Sequence, residues 1–168
     1  MSKQLFGTDG IRGIANQYPI TPEIALRIGR AVARILQSDG QGRHKVVIGK
    51  DTRLSGYMLE TALTSGLVSE GSRVLLTGPA PTPAVAHLTR SMGCDAGIML
   101  TASHNPYQDN GIKIFGSDGF KLNDALEHEI EKIILADDLP QPEGDLGKAI
   151  RIDDAMGRYI EFCKNTFP

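Results

Sequence analysis

Cysteine is scarce: the two thiols, Cys94 and Cys163, lie far apart, and neither has a second Cys or a His at metal-ligand spacing. That excludes a zinc site or a disulfide framework and predicts free thiols in a reducing cytosol. No apolar run approaches the ~20 residues of a membrane span, and the first residues lack the apolar core of a secretion signal, so a cytoplasmic location is expected and a membrane partner is not. Charge is nearly balanced, with a formal net of −2 and 23% charged residues. The chain as a whole therefore has no electrostatic pull toward nucleic acid. Gly49-Lys50 is followed by Asp51 rather than Ser or Thr, and no glycine falls five residues before Gly49, which excludes a P-loop. A Gly-x-Ser-x-Gly elbow is also missing, leaving a serine hydrolase as the weakest enzymatic reading. No internal repeat is present.

What is there suffices for one globular domain over residues 1–168, since 40% of the residues are hydrophobic. Thr21-Pro22-Glu23 opens a helix by N-cap, first-position proline and first-turn acid, and Ile24, Ile28, Ala31, Val32 and Ile35 form its core face up to Gly40 and Gly42. Strands follow at Lys45 to Gly49, Arg73 to Thr77 and Ala96 to Leu100. Between them lie a helix capped by Ser55, with Met58, Ala62, Leu63 and Leu67 inward and Gly71 at its end, and another from Pro83 to Met92. His44, His87 and His128 have no second ligand nearby in sequence and are expected to serve packing or surface roles. Arg53 is expected to be structural, pairing with Asp51 or a neighbouring loop.

Asn110-Gly111 signals a turn, and Ile112 to Phe115 alternates like a strand. The return from the preceding strand is too short for a parallel crossover, which predicts an antiparallel pair and brings Lys113 back toward Ser103. Asn123 caps a helix carrying Ala125, Leu126, Ile130, Ile133 and Ile134 inward. Residues 151 to 167 read as a closing amphipathic helix whose Tyr159, Ile160 and Phe162 pack on this domain or on a following one. The sum is an α/β fold, a three-layer α/β/α sandwich on a small mixed sheet of about four core strands with the last antiparallel.

The chemistry is expected where the third strand breaks into Thr101-Ala102-Ser103-His104-Asn105-Pro106, because open α/β sheets bind ligands at the carboxyl ends of their strands. Ser103 is the candidate nucleophile, and adjacency alone does not make His104 its base. Taken by itself, Ser-His-Asn reads as a surface turn, and Phe6 to Gly13, with three glycines around Arg12, reads as a connecting loop.

Taken together, Thr101 to Lys113, Phe6-Gly-Thr-Asp-Gly-Ile-Arg-Gly13, Gly49-Lys-Asp-Thr-Arg53, Ser55-Gly-Tyr-Met58, Pro81-Thr-Pro83 and Arg158 to Cys163 resemble the α-D-phosphohexomutases. The likeness runs over essentially the whole chain and is strongest to the branch acting on glucosamine phosphates. It implies the first of four domains, with a phosphate on Ser103, Arg12 and Lys113 as charge partners, and His104 or Lys113 as proton carrier. It also implies Mg²⁺ held through the Ser103 phosphate, a phosphosugar substrate, and domains II to IV as partners. The acidic metal loop, the sugar-reading loop and the phosphate-binding loop of those later domains do not occur in this sequence, so the domain alone is expected to fold without turning over. Two other readings stay open: a domain of a phosphoglucomutase or phosphomannomutase, and a non-catalytic phosphoprotein or anion-binding module.

Overall fold

The computed structural model, which describes residues 5–38 and 43–167, contains five helices and six strands. They are β1 (Ile11–Ile14), α1 (Pro22–Gln37), β2 (Lys45–Lys50), α2 (Ser55–Ser69), β3 (Arg73–Pro79), α3 (Thr82–Ser91), β4 (Ala96–Leu100), β5 (Asp109–Gly116), α4 (Asp124–Leu135), β6 (Lys148–Arg151) and α5 (Ala155–Lys164). The sheet order is β1-β5-β4-β2-β3-β6. β2 pairs in parallel with both β3 and β4, and β3 with β6, whereas β5 runs antiparallel to β4 and to β1. The expected core of three parallel strands and one antiparallel strand is thus present, widened by an edge strand on each side.

Period-two alternation divides the strands between two cores. Val46, Ile48, Val74, Ile98, Leu100 and Ile112 pack under α1, α2 and α4, while Val47, Leu75 and Met99 face α3 and α5 with Val85, Leu88 and Ala155. The chain goes from β2 over one face to β3, then back over the other face to β4 on β2's far side. A crevice therefore opens between the carboxyl ends of β2 and β4, where the connections diverge.

Local chemistry sets the helix ends. Thr21 Oγ1 accepts from Ile24 N at 3.3 Å and Asn123 Oδ1 from Leu126 N at 2.9 Å, as expected of both caps. Gly40 and Gly42 lie outside the described residues. Ser55 is not a cap: it is the first residue of α2, behind Leu54, and its hydroxyl instead accepts from Asn110 Nδ2 at 2.8 Å. Gly71 takes φ +87° just past α2. Helices α1 and α2 meet through Gly29 and Gly66, where a side chain on either would run into the other helix's backbone.

Three further expectations are corrected. Asn110-Gly111 is no turn but part of β5, opposite Gly13 and Arg12; the reversal occurs upstream, where Asp109 N donates to Pro106 O at 3.1 Å. In α4, Ala125 and Leu126 face solvent, and the buried face carries Glu127 and Glu131 instead. Glu131 Oε2 accepts from Leu5 N at 2.7 Å and Phe6 N at 3.1 Å, which explains how a carboxylate is buried there. Residues 148–151 form the short edge strand β6, and the closing helix starts only at Ala155. On that helix Phe162 stacks on His87, the ring centroids 4.1 Å apart, and Ile160 is exposed.

Among the described residues no helix is long and apolar enough to cross a membrane. Cys94 is buried and Cys163 half-buried, and both thiols are free. Burial pushes the Cys94 thiol up to about 11. At pH 8 its thiolate fraction is then about one in a thousand. A thiol reagent added to the folded chain is expected to modify Cys163 first and Cys94 only after unfolding, as peptide mapping will read.

Candidate functional site

β4 is buried throughout, and Thr101 and Ala102 continue it below the surface, so Ser103 is the first exposed residue of the strand's exit. It emerges in the left-handed region, φ +58°, which Gly favours and which costs other residues ~1 kcal/mol or more. Two links impose the turn: Ser103 N donates to Thr101 Oγ1 at 2.9 Å, and Asn105 N to Ala102 O at 3.1 Å. Thr101 Oγ1 in turn donates to Asp51 Oδ2 at 2.8 Å, tying the exit of β4 to the exit of β2.

Beside this turn is an open cavity of about 800 Å³ lined by Asp51, Arg53, Ser55, Ser103, Asn105 and Tyr107, among others. It lies over the crevice between β2 and β4 and includes Leu54 and Ser55 at the start of α2. That helix has no acidic residue in its first turn and no side-chain cap bond, so its N-terminal partial positive charge is left for an anion.

The structure brings three of the four expected residues together. His104 Nδ1 lies 3.3 Å from Ser103 Oγ, both side chains being exposed, and His104 makes no other hydrogen bond among the described residues. Arg12 projects from β1, not from a loop, and its Nη1 reaches Asn105 Oδ1 at 3.4 Å. Opposite it in β5 is Gly111, where a Cβ would stand 2.7 Å from Thr101 O and 3.1 Å from Arg12 Cγ. The absent side chain lets Arg12 close onto the Ser103 turn. Its charge is poorly compensated: Asp9 Oδ2 is 3.7 Å away, and Arg12 Nε is buried without an acceptor.

Lys113 is set apart. It stands opposite Met99 on the α3 side of the sheet and lines a smaller cavity, about 200 Å³, with Asp9, Gly10, Thr82, Lys121 and Glu127. No carboxylate pairs with its ammonium among the described residues, and Asp9, which lines the same cavity, also faces Arg12.

Among the described residues no cluster of three His, Cys, Asp or Glu side chains could hold a cation. The carboxylates closest to the turn are committed, Asp51 to Arg53 and Thr101, and Asp109 to Asn105 Nδ2 at 2.9 Å.

Thr101, which with Asp51 links the two strand exits, had no role in the sequence reading, and Asp51 was expected only as a partner of Arg53. Their signal was positional: Asp51 directly follows β2 and Thr101 directly follows β4, the two strands that flank the crevice.

The model of the family described as phosphoglucomutase/phosphomannomutase, alpha/beta/alpha domain I, matches residues 3–141. The chain is 61% identical over 168 residues to a phosphoglucosamine mutase of Cereibacter sphaeroides, covering 100% of this chain and 38% of that protein. It is 61% identical over 170 residues to a phosphoglucosamine mutase of Sorangium cellulosum, covering 99% of this chain and 35% of that one. Among solved structures, a putative phosphomannomutase from Thermus thermophilus superposes with a TM-score of 0.82 at 30% identity, over 99% of this chain and 37% of that one. The chain thus spans little more than a third of the length of these relatives.

Proposed function

The chain belongs to the phosphoglucomutase/phosphomannomutase family, and from that premise we propose that it is the phosphoserine-bearing first domain of a cytoplasmic phosphoglucosamine mutase. The whole enzyme interconverts glucosamine 6-phosphate and glucosamine 1-phosphate, a step toward bacterial cell-wall precursors. The observation that carries the reading is Ser103, exposed in a left-handed turn between an uncapped helix N-terminus and the under-compensated Arg12.

In the first transfer the substrate's free hydroxyl attacks the phosphorus on Ser103. The bond from phosphorus to Oγ breaks, the hydroxyl gives up its proton, and Oγ takes one, leaving a sugar 1,6-bisphosphate and a free serine. In the second transfer, Oγ attacks the other phosphate of the turned-over bisphosphate, and the steps run in reverse. Catalysis of this kind is mainly alignment and charge neutralisation, because the equatorial oxygens remain anionic throughout. A phosphoserine carries roughly −1.5 to −2 charges. Arg12 and the α2 N-terminus answer part of that from this chain. Bound Mg²⁺ would supply Lewis-acid neutralisation at the phosphate on Ser103, its remaining ligands coming from the second domain. His104 is the group within reach of Oγ for the proton it takes up; Lys113 adds positive charge from the neighbouring cavity.

The test is conversion of glucosamine 6-phosphate by the full-length protein with Mg²⁺, followed by ³¹P NMR. Appearance of the 1-phosphate supports the reading, and faster conversion of glucose or mannose phosphates would move the protein to another branch of the family. No conversion of any hexose phosphate would overturn it. The 168-residue chain alone is expected to give no turnover.

A further inference from the structure

Arg53 sits behind the Ser103 turn, its side chain about 10% exposed. A guanidinium has five N–H donors in a fixed plane, and here all five find acceptors. Nε donates to Asp51 Oδ2 at 2.8 Å, Nη1 to Pro106 O and to Asp109 O at 2.9 Å, and Nη2 to Ser103 O at 3.1 Å and Asn105 O at 2.9 Å. Four main-chain carbonyls of one exposed loop thus converge on one cation. Asp51 fixes Arg53 at its main chain as well as its side chain, since its Oδ1 also accepts from Arg53 N at 3.0 Å. Asp51 also receives the Thr101 hydroxyl whose oxygen accepts from Ser103 N. The main chain of Ser103 is therefore held from both ends, its N–H through Thr101 and Asp51, its C=O by Arg53.

We infer that Arg53, oriented by Asp51, is the positioning residue of the reacting serine. It holds the peptide planes of residues 103 to 109 so that Ser103 keeps its left-handed conformation and its Oγ faces the cavity. This inference rests on the reading of Ser103 as the phosphoryl acceptor. A role in binding substrate is excluded for Arg53 by its own bonds, because no donor is left over for a phosphate. A lysine at the same place keeps the charge but replaces a planar fork reaching four carbonyls with a single point. The carbonyls released by it lie on an exposed loop and hydrate readily, so the fold survives while the loop loses its single conformation. Misplacement of a reacting atom by about 1 Å can cost a hundredfold in rate.

The experiment compares Arg53→Lys and Asp51→Asn with wild type in the full-length enzyme. Three quantities are read: melting temperature, the separate kcat and KM for glucosamine 6-phosphate, and hydrogen exchange of the amides from 103 to 109. For Arg53→Lys the expected result is a kcat about a hundredfold lower, a KM within about threefold, a nearly unchanged melting temperature, and lost exchange protection confined to the loop. Asp51→Asn is expected to show the same pattern at smaller amplitude. A kcat within threefold of wild type overturns the inference, as does an Arg53→Lys protein that unfolds, since Arg53 would then be part of the scaffold. If wild type itself turns over no sugar phosphate, the functional reading fails instead, and the exchange pattern alone decides whether Arg53 orders the turn.

Discussion

Replacing Ser103 with alanine is expected to lower turnover of the full-length enzyme by at least about a thousandfold, the smallest loss usual when a group central to a phosphoryl transition state is removed. The hydroxyl is what receives and returns the phosphate. Asn105 and Pro106 are not nucleophiles, and the Thr101 hydroxyl is buried and donates to Asp51. Stability should hardly change, because the one contact of Ser103 Oγ is the 3.3 Å approach of His104 on the surface. Ser103→Gly separates chemistry from conformation. At φ +58° glycine carries no steric penalty, so this variant should be as inactive as the alanine and at least as stable. A glycine variant that kept activity would show that the phosphate is carried elsewhere. Steady-state rates and thermal melts of the two proteins decide the matter.

Gly66→Ala is expected to cost about 3 kcal/mol, against the sign that helix propensity predicts. Alanine is favoured over glycine in a helix by up to ~1 kcal/mol, and Gly66 lies within α2. Its Cβ, however, would stand 2.1 Å from Leu26 O and 3.0 Å from Arg30 N, both main-chain atoms of α1. Gly29 presents the reciprocal contact, 2.3 Å from Leu63 O. Neither helix can yield locally, so they must separate and open the core around Ile28, Leu63 and Leu67. Overpacking of this kind costs typically 1–3 kcal/mol, and more where backbone is struck. For a chain of this size that lowers the melting point by about 6–12 °C. Gly157 in α5 is the control, since nothing lies within 4 Å of the Cβ it would gain. Gly157→Ala should leave the melting point unchanged or raise it slightly. Equal effects at both glycines would mean that α1 and α2 do not meet as described.

Helices α1 and α4 and the central strands were legible in the sequence because their signals are local: Thr21 and Asn123 cap as their side-chain oxygens require, and each central strand is a short apolar run. The edge strands were not. Ile11–Ile14 is broken by Gly13 and preceded by Gly10, and Lys148–Arg151 is four mostly exposed residues, so each owes its extended form to a neighbour, β5 or β3. Asn110-Gly111 has the composition of a tight turn, yet Pro106 to Asp109 reverses the chain first, and Asn110 then bonds the Ser55 hydroxyl from within the sheet. At the site, Ser103, His104 and Arg12 could be singled out by residue type, and a loop between two glycines hid that Arg12 sits on a strand. Arg53 and Asp51 were legible as a pair. Their convergence on four carbonyls of a loop some fifty residues away was not, because main-chain acceptors leave no trace in sequence.

The claim that Ser103 is the phosphoryl acceptor is tested most directly by peptide mass mapping of the full-length protein after exposure to a hexose 1,6-bisphosphate with Mg²⁺. The account predicts a single added phosphate on the peptide bearing Ser103, passed to the sugar as its 1,6-bisphosphate when the phosphorylated protein is moved into excess glucosamine 6-phosphate without added bisphosphate, and absent from Ser103→Ala. A phosphate on another residue, or none on a protein that still interconverts the sugar phosphates, would contradict it.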